Sequence, residues 1–155
     1  MTDDPVPSWS ALAGVYQSVL HDVVAALDTQ AGIDSGVFSA LAYLERATPP
    51  HRMSMSELQA LMHPRYSQPG FSRLVQRMEA DGLVERRPDP EDRRATIVVE
   101  TRAGRKQFRD ANDVYGNVLQ RAFGRHLRPE DHARLIEILD RVSEKRSLDG
   151  HFCGR

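Results

Sequence analysis

The chain has 155 residues, of which 40% are hydrophobic, and this length fits a single domain with its own hydrophobic core. Its 21 basic and 22 acidic side chains nearly cancel, so the overall charge indicates no nucleic-acid partner and any basic surface must be local. A single cysteine excludes a disulfide within this sequence and is typical of a reducing compartment.

The first ten residues, MTDDPVPSWS, are acidic and interrupted by proline, which is the opposite of the order found in a signal peptide. The longest uninterrupted apolar runs, Val23–Leu27 and Ala40–Leu44, are far shorter than a membrane span. We therefore expect a cytoplasmic protein that has no membrane partner.

The amino-terminal half begins with two helices, which are predicted from apolar residues at helical spacing. The first runs from Ser10 to about Leu27, and Gly32 breaks it. Asp34 is the predicted N-cap of the second helix, which ends before Pro49.

The third and fourth helices are predicted from their capping signals and from the turn between them. Ser54 and Glu57 have the spacing of a capping box, and Pro64 ends the third helix. Ser67 caps the fourth helix, which ends at Gly82 because glycine readily adopts a left-handed conformation. The predicted buried stripe of the fourth helix consists of Phe71, Leu74, Val75 and Met78.

Two short strands follow, at residues 84–87 and 96–100, and the turn between them starts at Asp89. Thr101 is the predicted cap of a long fifth helix, and Pro129 begins a sixth. Residues 148–155 have no periodicity, and we predict a flexible tail there.

This order of elements predicts a mainly α fold, a winged helix-turn-helix with about six helices and a two-stranded β-hairpin wing. If the apolar stripe of the fourth helix faces the core, the opposite face is polar and has no acidic residue before Glu79. Arginine and glutamine on such a face can read guanine and adenine in the major groove. The outward residues are Gln68, Ser72, Arg73, Gln76 and Arg77.

Other interpretations stay open at this point. Exposed arginines are most often solvated charges, and a charged hairpin can simply discourage edge-to-edge pairing of strands. A winged helix can also be a protein-interaction module that does not bind DNA, which is the alternative function. An enzyme is not expected, because no nucleophile with a base, converging carboxylates or phosphate-binding glycine loop is present. Neither a metal nor another cofactor is predicted, since no zinc spacing is found among His126, His132, His151 and Cys153.

From Ser56 to Arg105 the sequence resembles the multiple antibiotic resistance regulator (MarR) family of bacterial transcription factors. The resemblance rests on SEL at 56–58, SRLVQRMEADGLVERRPDPEDRRA at 72–95 and TRAGR at 101–105. It implies a sequence-specific, DNA-binding regulator, of the repressor type, that responds to a ligand and binds a pseudopalindromic site.

The resemblance also implies an arrangement of one domain, covering residues 1–155. In this arrangement residues 34–101 form the winged helix-turn-helix lobe. Helices within residues 10–30 and 102–147 join two chains into a homodimer.

Site residues follow from the resemblance by position. Ser72 and Arg73 lie where the family contacts DNA from its recognition helix. The family's Asp-x-Arg pattern falls on Asp92 and Arg94, so Arg94 enters the minor groove while Asp92 holds it or shapes the loop. The complete set of predicted DNA-binding residues is Gln68, Ser72, Arg73, Gln76, Arg77, Arg86, Asp92, Arg93 and Arg94.

The resemblance further implies a small aromatic or phenolic effector, bound between the dimer base and the DNA-binding lobe. The residues in that neighbourhood are Tyr16, Val19, His21, Phe38 and Tyr43, and each of them is equally compatible with plain core or surface.

The chain departs from the family pattern in two places. The segment from Leu58 to Arg73 is about two residues longer than usual, which leaves open whether Arg65, Tyr66 or Gln68 reaches DNA. Glu100 stands directly before the threonine of the fifth helix, where the family usually has an apolar residue.

Overall fold

A computed structural model describes residues 4–49 and 51–147 of the chain. The predicted tail, with His151 and Cys153, lies outside these residues. The described chain contains six α-helices and three strands, and a short 3-10 helix, Gly124–His126, precedes the last helix. The helices are α1 Val6–Ala31, α2 Ser35–Arg46, α3 Met55–Met62, α4 Gln68–Ala80, α5 Arg102–Ala122 and α6 Pro129–Ser147. The strands are β1 Arg52–Ser54, β2 Val84–Pro88 and β3 Thr96–Glu100.

The helix ends are fixed by the predicted capping residues. The Asp34 carboxylate accepts from the first-turn amides of α2, and Ser54 and Glu57 form the complete capping box of α3. The Ser67 hydroxyl accepts from the Gly70 amide, 3.3 Å away, at the start of α4. Gly82 ends α4 with a φ of 71°, as the left-handed C-cap requires.

The sheet has three strands, because β1 adds a third strand to the predicted two-stranded hairpin. β1 pairs antiparallel with β3, and the order across the sheet is β1-β3-β2. β1 has only three residues and leads directly into the capped helix α3. A strand of this length is too short to show an alternating pattern of apolar and polar residues, so the sequence does not predict it. The two strands of the wing itself occur where the sequence predicts them.

Buried side chains from the first five helices and from the sheet form one hydrophobic core. The predicted stripe of α4 is buried in it, since Phe71, Leu74, Val75 and Met78 are each at most 3% exposed. α1 runs along α5 and contributes Val23, Ala26 and Leu27 to the core. The core therefore holds the lobe with α3, α4 and the wing against the two long helices.

Two helices have apolar faces that the single chain leaves uncovered. α1 exposes Trp9 (66%) and Tyr16 (64%), and α6 exposes Ile136 (61%) and Val142 (54%). By length and composition alone α1 could also cross a membrane, although its uninterrupted apolar runs are short. Apolar surface of this extent marks an interaction site.

Candidate nucleic-acid interface

The turn between α3 and α4 determines which residues lie at the start of α4. Arg65 donates to the hydroxyls of Ser35 and Ser39 on α2, at 2.7 and 3.4 Å. Tyr66 lies against Gly36, where a Cβ atom would overlap its hydroxyl. This turn therefore directs Arg65 and Tyr66 towards α2, and Gln68 is exposed at the start of α4.

The outward face of α4 has the polar composition that its periodicity predicts. Arg73, Gln76 and Arg77 are exposed, while Ser72 is half-buried. Arg77 lies 3.4 Å from the carboxylate of Asp34, so part of its charge is neutralised. Arg73 has no ion-pair partner among the residues that the structure describes.

The acidic residues of the wing shape the loop that presents its arginines. The Asp89 carboxylate accepts from the Glu91 amide at 2.9 Å, and the Asp92 carboxylate accepts from the Arg94 amide at 3.0 Å. These are turn-forming contacts between a side chain and the backbone. Asp92 thus contacts the backbone of Arg94, and no ion pair joins their side chains in the described structure. The guanidinium groups of Arg93 and Arg94 stay exposed.

The two arginines at the base of the wing are paired with acids. Arg86 donates through Nε to Glu79 at 2.8 Å and forms an ion pair with the same carboxylate at 2.6 Å. These contacts hold the pKa of Glu79 below its ordinary value. Arg87 is paired with Glu85 on its own strand. Arg86 therefore ties the wing to the last turn of α4.

A cavity of about 270 Å³ lies between α2 of the lobe and the long helices α1 and α5. Three of the five predicted effector residues, Tyr16, Phe38 and Tyr43, line it, whereas Val19 and His21 are not among its lining residues. His21 lines a separate open groove between α1 and the end of α5.

The aromatic wall of this cavity is a stack in which Phe38 lies 5.5 Å from Phe108 and 5.2 Å from Tyr115, between ring centres. Arg46 and Arg65 also line the cavity. The sequence analysis did not predict either arginine as a cavity residue. Arg65 reaches α2 only through the folded turn.

An α3-turn-α4 unit followed by a wing that closes a small antiparallel sheet defines a winged helix-turn-helix protein. Residues 31–95 match the model of the MarR family. No curated protein matches the sequence. The resemblance is confirmed, and the chain has the MarR winged-helix fold.

Solved structures extend the likeness beyond the lobe. AbsC, a MarR family transcriptional regulator from Streptomyces coelicolor, is 26% identical with a TM-score of 0.80, over 97% of this chain and 98% of its own. A second such regulator from the same organism, solved in complex with DNA, is 23% identical with a TM-score of 0.79, over 94% and 92% of the chains. BpsR from Bordetella bronchiseptica, whose DNA binding is regulated by 6-hydroxynicotinic acid, is 21% identical with a TM-score of 0.70, over 86% and 91%.

Proposed function

We propose that this protein is a sequence-specific DNA-binding transcriptional repressor. The observation that carries the proposal is the distribution of arginine partners. Arg73 on α4 and Arg93 and Arg94 on the wing are exposed without ion-pair partners in the described chain, while Arg86 and Arg87 are neutralised. These three arginines thus lie on the two elements with which a winged helix contacts DNA.

In the proposed complex α4 lies in the major groove and the wing tip reaches the minor groove. Gln68, Ser72, Arg73 and Gln76 read bases or bind phosphates, and Arg77 joins them if DNA displaces Asp34. Arg94 enters a narrow minor groove, whose negative potential attracts it. The loop contacts of Asp89 and Asp92 support this role, because a preorganised loop loses less entropy on binding.

The apolar faces of α1 and α6 support a homodimer. Their exposed side chains need a cover, and a second copy of the chain would supply it through a two-fold, self-complementary contact. Such a dimer presents two α4 helices to successive major grooves, roughly 34 Å apart, on a pseudopalindromic site. Covering α1 by protein also accounts for its membrane-like composition, and we infer a cytoplasmic location.

We further propose that the cavity binds an aromatic acid, the class of compound that regulates DNA binding by BpsR. Phe38 and Tyr115 would pack on the ring, and the guanidinium groups of Arg46 and Arg65 would pair with the carboxylate. In the structure Arg65 donates hydrogen bonds to the hydroxyls of Ser35 and Ser39 on α2. A ligand that takes Arg65 from these hydroxyls would shift the turn before α4, and so favour the state that does not bind DNA.

Selection of binding sites from a random duplex library tests the proposal. We expect enrichment of a pseudopalindrome whose half-sites are about one helical turn apart. If no sequence is enriched at moderate salt, the protein-interaction module becomes the better interpretation.

Binding of benzoate-type acids to the purified protein tests the effector. The R65A variant should bind them more weakly than the wild type, whereas R52A, on β1 and outside the cavity lining, should bind them equally. Equal affinity of R65A and the wild type would refute the role of Arg65.

A further inference from the structure

A cluster of three potential metal ligands lies at the base of the wing, away from the loop that carries Arg94. Glu45 is in the last turn of α2, His51 precedes β1, and Glu100 ends β3. Each side chain offers one ligand atom, and these atoms lie within 4.8 Å of one another.

The carboxylate of Glu100 is buried without a hydrogen-bond partner. Its side chain is 0% exposed, and neither of its oxygens nor Oε2 of Glu45 is hydrogen-bonded in the described structure. Nε of Arg105 is 3.9 Å from Glu100, which is too far for a hydrogen bond. Buried charge of this kind is strongly unfavourable unless a partner compensates it.

Backbone hydrogen bonds hold the three residues in place. The Glu100 amide donates to the His51 carbonyl at 3.2 Å, and the His51 amide donates to the Thr48 carbonyl at 3.1 Å. Nδ1 of His51 lies 3.2 Å from the Glu45 carbonyl oxygen and 4.0 Å from Oε2 of Glu45. The side chains of His51 and Glu45 are 19% and 31% exposed, so the cluster is open to solvent on one side.

We propose that Glu45, His51 and Glu100 form a binding site for a divalent first-row transition-metal cation such as Zn²⁺ or Mn²⁺. A charge of +2 compensates two carboxylates, and one imidazole beside two carboxylates suits these ions. Three protein ligands leave room for water in the remaining positions. The site joins α2 to the last residue of the wing, and it does not depend on the proposed DNA binding.

The sequence could not indicate this site, because its ligands come from three separate elements.

Titration calorimetry of the full-length, chelator-treated protein with Zn²⁺ and with Mn²⁺ tests the proposal. We expect one ion per chain for at least one of the two metals, together with a rise in Tm. The variants E100Q and H51Q should each weaken that binding at least tenfold, since even a change to an outer-shell partner of a metal ligand costs roughly tenfold or more. H63Q, which changes an exposed histidine outside the cluster, should leave it intact.

Circular dichroism verifies that each variant is folded, and two independent ligand variants keep the test decisive if one of them does not fold. The proposal fails if the wild type binds neither ion. It also fails if folded E100Q and H51Q bind as tightly as the wild type, since the ions would then occupy other histidines or Cys153.

Discussion

Replacing Glu100 by glutamine should make the metal-free protein more stable at high pH. Burial, followed by the neighbouring Glu45, raises the pKa of the Glu100 carboxyl from 4.5 to about 8. The folded chain therefore holds this proton more tightly than the unfolded chain does. Between pH 4.5 and about pH 8 the folded state binds more protons than the unfolded state, so the free energy of unfolding falls as pH rises. The E100Q variant has no titrating proton at this position, so its free energy of unfolding should not fall in this way.

The pKa difference sets an upper limit of about 5 kcal/mol on the stability lost across that window. Relaxation of the site and water near Glu45 will reduce the loss, and we expect roughly 2–3 kcal/mol. Below pH 4.5 the two proteins should be almost equally stable, because Glu100 is then protonated in both the folded and the unfolded wild type.

Urea unfolding at a series of pH values, with a chelator present throughout, measures this difference. E91Q, which removes an exposed carboxylate from the wing loop, is the matched control and should follow the wild type. If wild type and E100Q lose stability in parallel up to pH 8, burial of Glu100 does not have the effect described here.

Two further substitutions test the packing of the lobe and the covering of the long helices. G36A places a Cβ against the Tyr66 hydroxyl and should cost about 1–3 kcal/mol in urea unfolding. G116A, at a position with no atom within 4 Å, should instead stabilise the protein by about 0.5–1 kcal/mol. Equal effects of G36A and G116A would contradict the contact between Gly36 and Tyr66. L139E, on the apolar face of α6, should shift the protein towards monomers in light scattering, whereas E137K on the opposite face should not. A dimer that persists in L139E would show that α6 is not in the interface.

The local features of this fold could be predicted because each rests on a few neighbouring residues. Asp34, Ser67 and Thr101 cap their helices through side chains two to three residues from the amides they accept from. The polar face of α4 likewise follows from the period of its apolar stripe. β1 was missed because it is defined only by its partner β3, which is distant in sequence.

The partners of the predicted site residues could not be obtained in the same way. Periodicity places Arg77 and Arg86 near the expected interface, but their ion pairs with Asp34 and Glu79 depend on tertiary contacts. The sequence also left open whether Asp92 holds the side chain of Arg94 or shapes the loop, and in the structure the Asp92 carboxylate accepts from the Arg94 backbone amide.

The central claim is that Arg73, Arg93 and Arg94, the arginines of α4 and the wing without ion-pair partners among the described residues, bind DNA. The affinity of R94A for the selected duplex tests this claim most directly. Fluorescence anisotropy at several salt concentrations should show a loss of about 1–3 kcal/mol for R94A. R87A is the matched control, because Arg87 is already paired with Glu85. It should bind almost as tightly as the wild type, and wild-type affinity should fall steeply with salt. Equal affinity of R94A and the wild type, or an equal loss in R87A and R94A, would contradict the account.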